Sequence, residues 1–237
     1  MKEIYDIQFV ENLFDRMSGS YSKMNYITSF GFSEKWRREC VEEIEIQEGK
    51  TVVDLMTGMG ECWQHILKKS NQNSMLIALD FSTEMINKAK KNKTKFKNSK
   101  IEILKENVFQ NSIPNETADY VISGFGLKTF NDQQLQKLAH EINRILKPNG
   151  KFSLIDVSVP KNGILKVFFM FYLKIIIPLI GKICLGNNET YKMLGIYTEE
   201  FQNSKKVHQL FTIPHFEVEY VSYFYGCATG IKGRKIA

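Results

Sequence analysis

Apolar residues in this chain follow two periods. Short runs that are apolar at nearly every position occur at 51–56, 75–79, 120–123 and 151–157, with a weaker alternation at 101–104. Runs of this length, bounded by glycine or polar residues, predict strands buried on both faces. Between them, apolar residues recur three and four apart. Leu135, Leu138, Ile142, Ile145 and Leu146 mark a helix over 132–146, ended by Pro148-Asn149-Gly150. Shorter helices are predicted at about 61–69 and at 84–91, the second capped by Ser82 or Thr83. Strand and helix alternate, which implies a parallel sheet with right-handed crossovers. Segments 218–225 and 227–231 read as a closing antiparallel pair. The expected fold class is α/β: a Rossmann-like, doubly wound, mostly parallel seven-stranded sheet with helices on both faces.

Two regions lie outside this alternation. Residues 1–48 are amphipathic with helical spacing, and Phe9, Leu13, Phe14, Met17, Met24, Tyr26 and Ile27 are their apolar points. Residues 163–185 are apolar except where Lys166, Lys174 and Lys182 interrupt at eight-residue intervals, which places the lysines roughly on one helix face. A membrane-spanning helix needs about 20 predominantly apolar residues, and the lysines argue against one here. Pro178 should kink or break the helix. Two readings stay open for this segment: a lid over an apolar substrate, or a buried packing helix. The chain is then one domain. It has an N-terminal helical cover at 1–48, a cofactor-binding core at 49–160, a helical insertion after the fifth strand at 161–215, and closing strands at 216–237.

The chemistry concentrates where the first strand ends. Asp54-Leu55-Met56-Thr57-Gly58-Met59-Gly60-Glu61 reads as strand, acid and tight glycine turn, and the second strand ends in Asp80, twenty residues after Gly60. This is the layout of a nucleotide-type site at the first turn of a doubly wound sheet, with Asp80 placed to bond ribose hydroxyls. A dinucleotide fingerprint needs a third glycine three residues after Gly60, and that position is Trp63. An indole there crowds a pyrophosphate, and Glu61 puts negative charge where phosphates would sit. An acidic turn suits a cationic ligand. S-adenosyl-L-methionine carries a ribose, an amine and a sulfonium but no phosphate, and it is the expected cofactor. Gly58 and Gly60 let backbone approach the ligand. Asp54 orients the amine through the turn or a water, or else serves as a helix-capping charge. Phe81 and Met85 line an adenosine pocket or pack in the core.

Charge and cysteine content narrow the partners. The net charge is +6, from 32 basic and 26 acidic residues. Much of the excess is the lysine run between 88 and 100, in which Phe96 is the one aromatic residue. It reads as a patch for an acidic partner or membrane surface, or as a solvated helix end and loop, and the second is favoured because aromatic residues do not interleave. It lacks a base-reading or stacking module, so nucleic acid is not an expected partner. Cys40, Cys62, Cys184 and Cys227 form no close pair and no metal-ligand spacing. No metal site is expected, and a reduced, cytoplasmic compartment fits. The first residues carry early acids and no apolar stretch of a secretory signal.

An ordered set of motifs adds to this. Phe14-Asp15-Arg16-Met17, Tyr21-Ser22-Lys23-Met24-Asn25, Ser29-Phe30-Gly31 and Trp36-Arg37 precede the glycine turn. Asp80-Phe81-Ser82-Thr83-Glu84-Met85, Gly124-Phe125-Gly126-Leu127, Glu141 to Gly150, Ile177-Pro178-Leu179-Ile180-Gly181 and Tyr191-Lys192-Met193-Leu194 follow it. Over nearly its whole length the chain resembles class I S-adenosylmethionine-dependent methyltransferases, and more specifically the ubiquinone/menaquinone-biosynthesis C-methyltransferase family. It departs from that pattern at Met59, where the family has Thr, and at Lys128-Thr129, where the family has Arg-Asn. It departs again at Gly195-Ile196-Tyr197 and at Pro214-His215-Phe216. The cofactor side is kept and the substrate side is changed.

The resemblance implies further roles. Asn107-Val108 should face adenine, with the Asn side chain at the exocyclic amine. Ser123 and Gly124 should lie beneath the methionine moiety. Tyr21 reaches the cofactor carboxylate or packs in the core. The implied substrate is a small aromatic molecule or quinol, with or without a lipid tail, methylated on carbon. One quinol hydroxyl must lose its proton so that electron density reaches the ring. Lys128 is placed to stabilise the phenolate, and Asp156 at the end of the fifth strand is an alternative base or a loop-capping carboxylate. Competing readings are methyl transfer to another small molecule and cofactor binding without methyl transfer. The apolar insertion and the positive charge raise peripheral contact with the inner face of a membrane as an expectation, and a homodimer is allowed.

Overall fold

The computed structural model describes residues 3–19, 21–70, 73–185 and 189–236. Three helices come first: α1 (Ile7–Met17), α2 (Tyr21–Thr28) and α3 (Phe32–Glu42). Asp6 caps α1, its carboxylate accepting from the N–H groups of Gln8 and Phe9. The alternating core follows as β1 (Thr51–Leu55), α4 (Trp63–Ser70), β2 (Met75–Asp80), α5 (Thr83–Lys93), β3 (Lys100–Lys105), β4 (Ala118–Gly124), α6 (Asp132–Ile145) and β5 (Leu146–Val157). Helices α7 (Gly163–Phe171), α8 (Ile177–Leu185), α9 (Glu189–Phe201) and α10 (Lys205–Phe211) form the insertion, and β6 (Phe216–Tyr223) and β7 (Ala228–Lys235) close the fold. The seven strands lie in the order β3-β2-β1-β4-β5-β7-β6. Strand β7 runs antiparallel to both its neighbours, and the remaining pairings are parallel. Ser82, not Thr83, caps α5, accepting from the Met85 N–H at 3.2 Å.

The side-chain alternation of the strands divides the core between the two sheet faces. Val53, Leu55, Ile77, Leu79, Val121, Phe152 and Leu154 pack with residues of α6 and α10. Val52, Leu76, Ala78, Ile122 and Ile155 pack with residues of α3, α4 and α5. Both faces are covered, which is why the strands read as continuous apolar runs. A third cluster joins Leu13, Met17 and Met24 of the N-terminal cover to Leu173, Ile177, Tyr191 and Tyr197 of the insertion.

Several expected boundaries move. β5 begins at Leu146, paired with Ala118, before Pro148-Asn149-Gly150 and not after it. The turn is absorbed as an irregularity in the ladder, with Asn149 at φ 63°. The closing strands shift because Phe224, Tyr225 and Gly226 form the turn between them, all at positive φ. Tyr26 and Ile27, expected as packing points, are exposed on α2. Pro178 does not break its helix, which is continuous over Gly163–Ile183. One π turn, Tyr172–Ile176, precedes the proline and accommodates its ring and missing N–H. Only 17% of the apolar window of this helix is buried, so it is a cover and not a core helix.

Candidate active site

Strand order reverses between β1 and β4, which opens a crevice at their carboxyl ends. The turn leaving β1 takes positive φ at Met56, Gly58 and Gly60, and the Thr57 N–H ties it to Leu79 O of β2 at 2.9 Å. Asp80 ends β2. Its carboxylate accepts from the Gly58 N–H at 2.8 Å and the Ser82 N–H at 2.9 Å, joining the glycine turn to the cap of α5.

Asp54 is 1% exposed. Its Oδ2 accepts from the Thr57 hydroxyl, and Thr57 Oγ1 accepts from the Trp63 indole N–H at 2.8 Å. Asp54 Oδ1, Glu61 Oε1 and Ser123 Oγ are buried without a hydrogen-bond partner among the described residues. Buried polar atoms are rarely left this way, because the desolvation goes uncompensated. Desolvation, with the charge of Glu61 adding to it, pushes the Asp54 carboxyl up to about 7 and that of Asp80 to about 6. Trp63 is fully buried behind the turn, 2.5 Å from where a Gly60 Cβ would stand. The indole therefore excludes a side chain at Gly60 and does not crowd the ligand side. Of the two features expected to bar a pyrophosphate, the acids line the cleft and Trp63 does not.

Eight of the sequence-predicted residues line one cleft: Asp54, Gly58, Asp80, Phe81, Met85, Asn107, Val108 and Gly124. Asn107 Oδ1 accepts from the Phe109 N–H at 2.8 Å, so part of its polarity goes to its own turn. Met59 and Gly60 do not line this cleft. They edge a separate polar hollow beside α5, and Met59 braces the turn through its N–H to Glu61 (2.9 Å) and its carbonyl to Asn92 (3.2 Å). Ser123 is buried at the end of β4 and is not among the lining residues. The Tyr21 side chain lies outside the described residues.

Sequence reasoning gave Arg37 no role. It is buried, lines the cleft, approaches Glu61 to 3.9 Å and lies over the Phe125 ring at 4.7 Å. The signal was available. Arg37 falls on the buried face of α3 with Ser33, Trp36, Cys40 and Val41, where a charged residue is rare unless paired.

A second cavity, of about 440 Å³, adjoins the cleft and shares Phe14, Phe125 and Thr129 with it. Its walls are largely apolar, and Lys128 is the one charged residue lining it among the described residues. Lys128 is 8% exposed. Its Nζ donates to Asp156 Oδ1 at 2.5 Å and its backbone N–H to Oδ2 at 2.9 Å. The Val157 N–H also donates to Oδ1, at 2.7 Å. Asp156 is fully buried and lines neither cavity. A general base needs reach to its proton, so Asp156 is better placed to position Lys128 than to take a proton from a ligand. His208 and His215 line neither cavity, and His140 is exposed.

Residues 1–235 match the model of the ubiE/COQ5 methyltransferase family. The chain is 29% identical over 227 residues to the demethylmenaquinone methyltransferase of Oceanobacillus iheyensis, covering 95% of this chain and 94% of that one. Among solved structures it resembles a SAM-dependent methyltransferase from Aquifex aeolicus, with TM-score 0.56, 18% identity, and 84% and 89% of the two chains covered. It also resembles a Methanococcus maripaludis protein described as a candidate S-adenosyl-L-methionine-dependent methyltransferase. There the TM-score is 0.63, the identity 19%, and 94% of each chain is covered. At these identities the two structures speak to the fold.

Proposed function

The chain belongs to the ubiE/COQ5 methyltransferase family and is a methyltransferase, and from that premise we propose that it methylates a ring carbon of a quinol with S-adenosyl-L-methionine as donor. Its curated relatives from Oceanobacillus iheyensis and Listeria monocytogenes are named demethylmenaquinone methyltransferases. The observation that carries the reading is the junction of two unlike cavities. An acid-lined cleft at a glycine turn meets an apolar chamber holding a single cation, with Phe125 and Thr129 between them.

The residues present fit the cofactor. The unpartnered Asp54 Oδ1 offers a buried acceptor to an ammonium, and Arg37, ion-paired at 3.9 Å with Glu61 Oε1, brings a cation to the cleft that suits a carboxylate. Asp80 suits a ribose diol, Asn107 and Val108 suit adenine, and Phe81 and Met85 supply its apolar walls. Gly124 leaves the cleft floor open: a Cβ there would lie 2.9 Å from Cys62 Sγ. Met59 and Gly60 shape the turn from behind, Ser123 is buried at the end of β4, and the family resemblance makes Tyr21 a candidate for the cofactor carboxylate. When bound, S-adenosyl-L-methionine supplies a methyl group activated by a sulfonium.

The chain's own residues supply position, dryness and charge. The ammonium of Lys128, held by Asp156, favours a quinol oxygen in its ionised form, which raises electron density at the ring carbon. Thr129 cannot reproduce a side-chain amide, and its hydroxyl already donates to Gly126 O at 2.7 Å. In this reading residues 49–160 hold the cofactor, while 1–48 and 161–215 enclose the substrate and 216–237 close the sheet. A quinol bearing an apolar tail resides in a bilayer, so the function calls for a cytoplasmic enzyme in peripheral contact with the inner face of a membrane.

A second reading, methylation of a smaller phenol, is favoured by the Lys128–Asp156 pair, since a neutralised cation stabilises a phenolate less. Incubation with the cofactor and either a demethylated quinol or a panel of polar phenols, with products read by mass spectrometry, separates the two. A carbon-methylated quinol is expected. Product from the polar phenols alone would replace the first reading with the second, and cofactor binding without product on any acceptor would overturn both.

A further inference from the structure

The helix that roofs the apolar cavity is apolar on both sides. Phe169, Tyr172, Leu173 and Ile177 line the chamber beneath it. On the outside, Ile164, Val167, Phe168, Phe171, Ile175, Leu179 and Ile183 are exposed, with no element among the described residues covering them. Their spacing of three and four makes a single stripe along the helix. A surface helix of a globular protein ordinarily turns a polar face outward. An apolar stripe of this length is not explained by packing within the chain.

Three features identify what covers it. First, the segment carries one sign of charge: no acidic residue occurs between Asp156 and Glu189, while Lys161, Lys166, Lys174 and Lys182 do. Lys174 pairs with Glu199 at 2.6 Å, and the other three are exposed. This suits an anionic surface, with long lysine stems lying along the apolar boundary. Second, aromatic rings from three separate segments both line the cavity and reach solvent: Phe30 of the α2–α3 turn, Phe168 of α7, and Phe224 of the β6–β7 turn. Phe30 is 80% exposed, Phe168 69%, and Tyr225 beside Phe224 is 78% exposed. Third, Phe30, Phe224 and Tyr225 sit at φ 51°, 40° and 56°. Bulky residues are uncommon in this left-handed region, and such conformations persist where a function uses them. Here they present rings to solvent beside the cavity.

The helix is long and apolar enough to cross a membrane by length and composition. It is nevertheless fastened flat across the chamber. Leu173 and Ile177 are buried, the Tyr172 hydroxyl donates to Thr28 O at 2.8 Å, and Lys174 is held by α9. We propose that the outer face of α7 and α8, with these aromatic rings, docks in the plane of an anionic lipid bilayer, and that an apolar tail passes from bilayer to cavity between Phe30, Phe168 and Phe224. The docking face stands on the exposed stripe and its charge, and only the passage rests on the proposed tailed quinol.

The test is flotation of the full chain with vesicles of neutral phosphatidylcholine, or of phosphatidylcholine with about a third phosphatidylglycerol. Native protein is expected to float with the anionic vesicles, more weakly with neutral ones, and to release as salt rises. The variant Phe171→Ser/Ile175→Ser/Ile183→Ser changes exposed positions that do not line the cavity. It should float at least tenfold less while keeping its circular dichroism and its turnover of a tail-less quinol. In Tyr225→Trp, the indole emission should move to the blue on anionic vesicles. Failure of native protein to float at low salt, or equal flotation of the triple variant, overturns docking. So does a native dimer that the triple variant converts to monomer without either floating. Docking with turnover of neither tailed nor tail-less quinol would leave the docking face standing and overturn the quinol reading.

Discussion

Asp54→Asn tests whether the acid of the first strand exists for a ligand or for the fold. The native carboxylate is buried, one of its oxygens has no partner among the described residues, and its carboxyl sits at about 7 against an ordinary 3.8. That displacement corresponds to about 4 kcal/mol against the charged form, an upper bound because Glu61 and Asp80 share in it and neighbours relax. The sign follows from proton counts. Between about pH 4 and 7 the folded chain holds a proton on Asp54 that the unfolded chain has released, so stability falls as pH rises through that window. The protonated form contributes fully below about pH 4, and its contribution is gone above about pH 7. Asparagine keeps the acceptor for the Thr57 hydroxyl and removes the charge. Unfolding in urea, followed by tryptophan fluorescence, should therefore show the variant more stable than native by about 1–3 kcal/mol at pH 8 and nearly equal to it at pH 4. Calorimetry should show the same variant binding S-adenosyl-L-methionine about 10- to 100-fold more weakly, because a neutral amide replaces an anionic acceptor. A variant less stable than native at pH 8 by more than about 1 kcal/mol would refute the reasoning and make Asp54 a structural, helix-capping charge.

Other substitutions probe the remaining parts. Asp80→Ala should reduce cofactor affinity by about 100-fold or more, since it removes an anionic acceptor and unfastens Gly58 and Ser82; calorimetry alongside far-ultraviolet dichroism separates binding from folding. Because the Asp80 carboxyl sits at about 6, native affinity should tighten from pH 5 to pH 8. Binding near pH 6 should then release protons, read as a dependence of the measured heat on buffer ionisation, and its absence would count against an ionised Asp80 in the complex. Lys128→Met should lose about 3–5 kcal/mol of stability by leaving Asp156 buried and unpaired. Lys128→Met/Asp156→Leu should recover most of that stability in urea unfolding yet stay about 100-fold slower, with cofactor affinity unchanged. Phe152→Ala, in the core away from both cavities, should cost about 3–5 kcal/mol and leave the cofactor dissociation constant within about twofold of native.

Local pattern carried the sheet and the glycine turn, because their determinants are near in sequence. Buried strands read as apolar runs since both faces of the sheet are covered, and Gly58, Gly60 and Asp80 announce the turn by spacing alone. What depends on distant packing was not legible. Lys128 and Asp156 lie 28 residues apart, and nothing in either neighbourhood says that one neutralises the other. Trp63 was expected to face the ligand, but the direction of α4 puts its ring behind Gly60. Pro178 obeyed tertiary demand over local propensity, its constraint taken up by one wider turn at Tyr172–Ile176. Arg37 was visible as a charge on a buried helix face. Its meaning required Glu61 and Phe125, which come from two other elements.

The cluster joining the N-terminal cover to the insertion has a consequence for the order of assembly. Among the described residues, every one lining the acid-lined cleft lies at or before Gln134, whereas the apolar chamber also needs residues up to Cys227. The Tyr197 hydroxyl reaches back across 193 positions to Ile4 O. The chamber therefore waits for the last quarter of the chain to return to the N-terminal cover. Contacts that close loops this long form late in folding. The compartment completed last is thus the one expected to open first, and faster amide hydrogen exchange in α9 than in the central strands would report it.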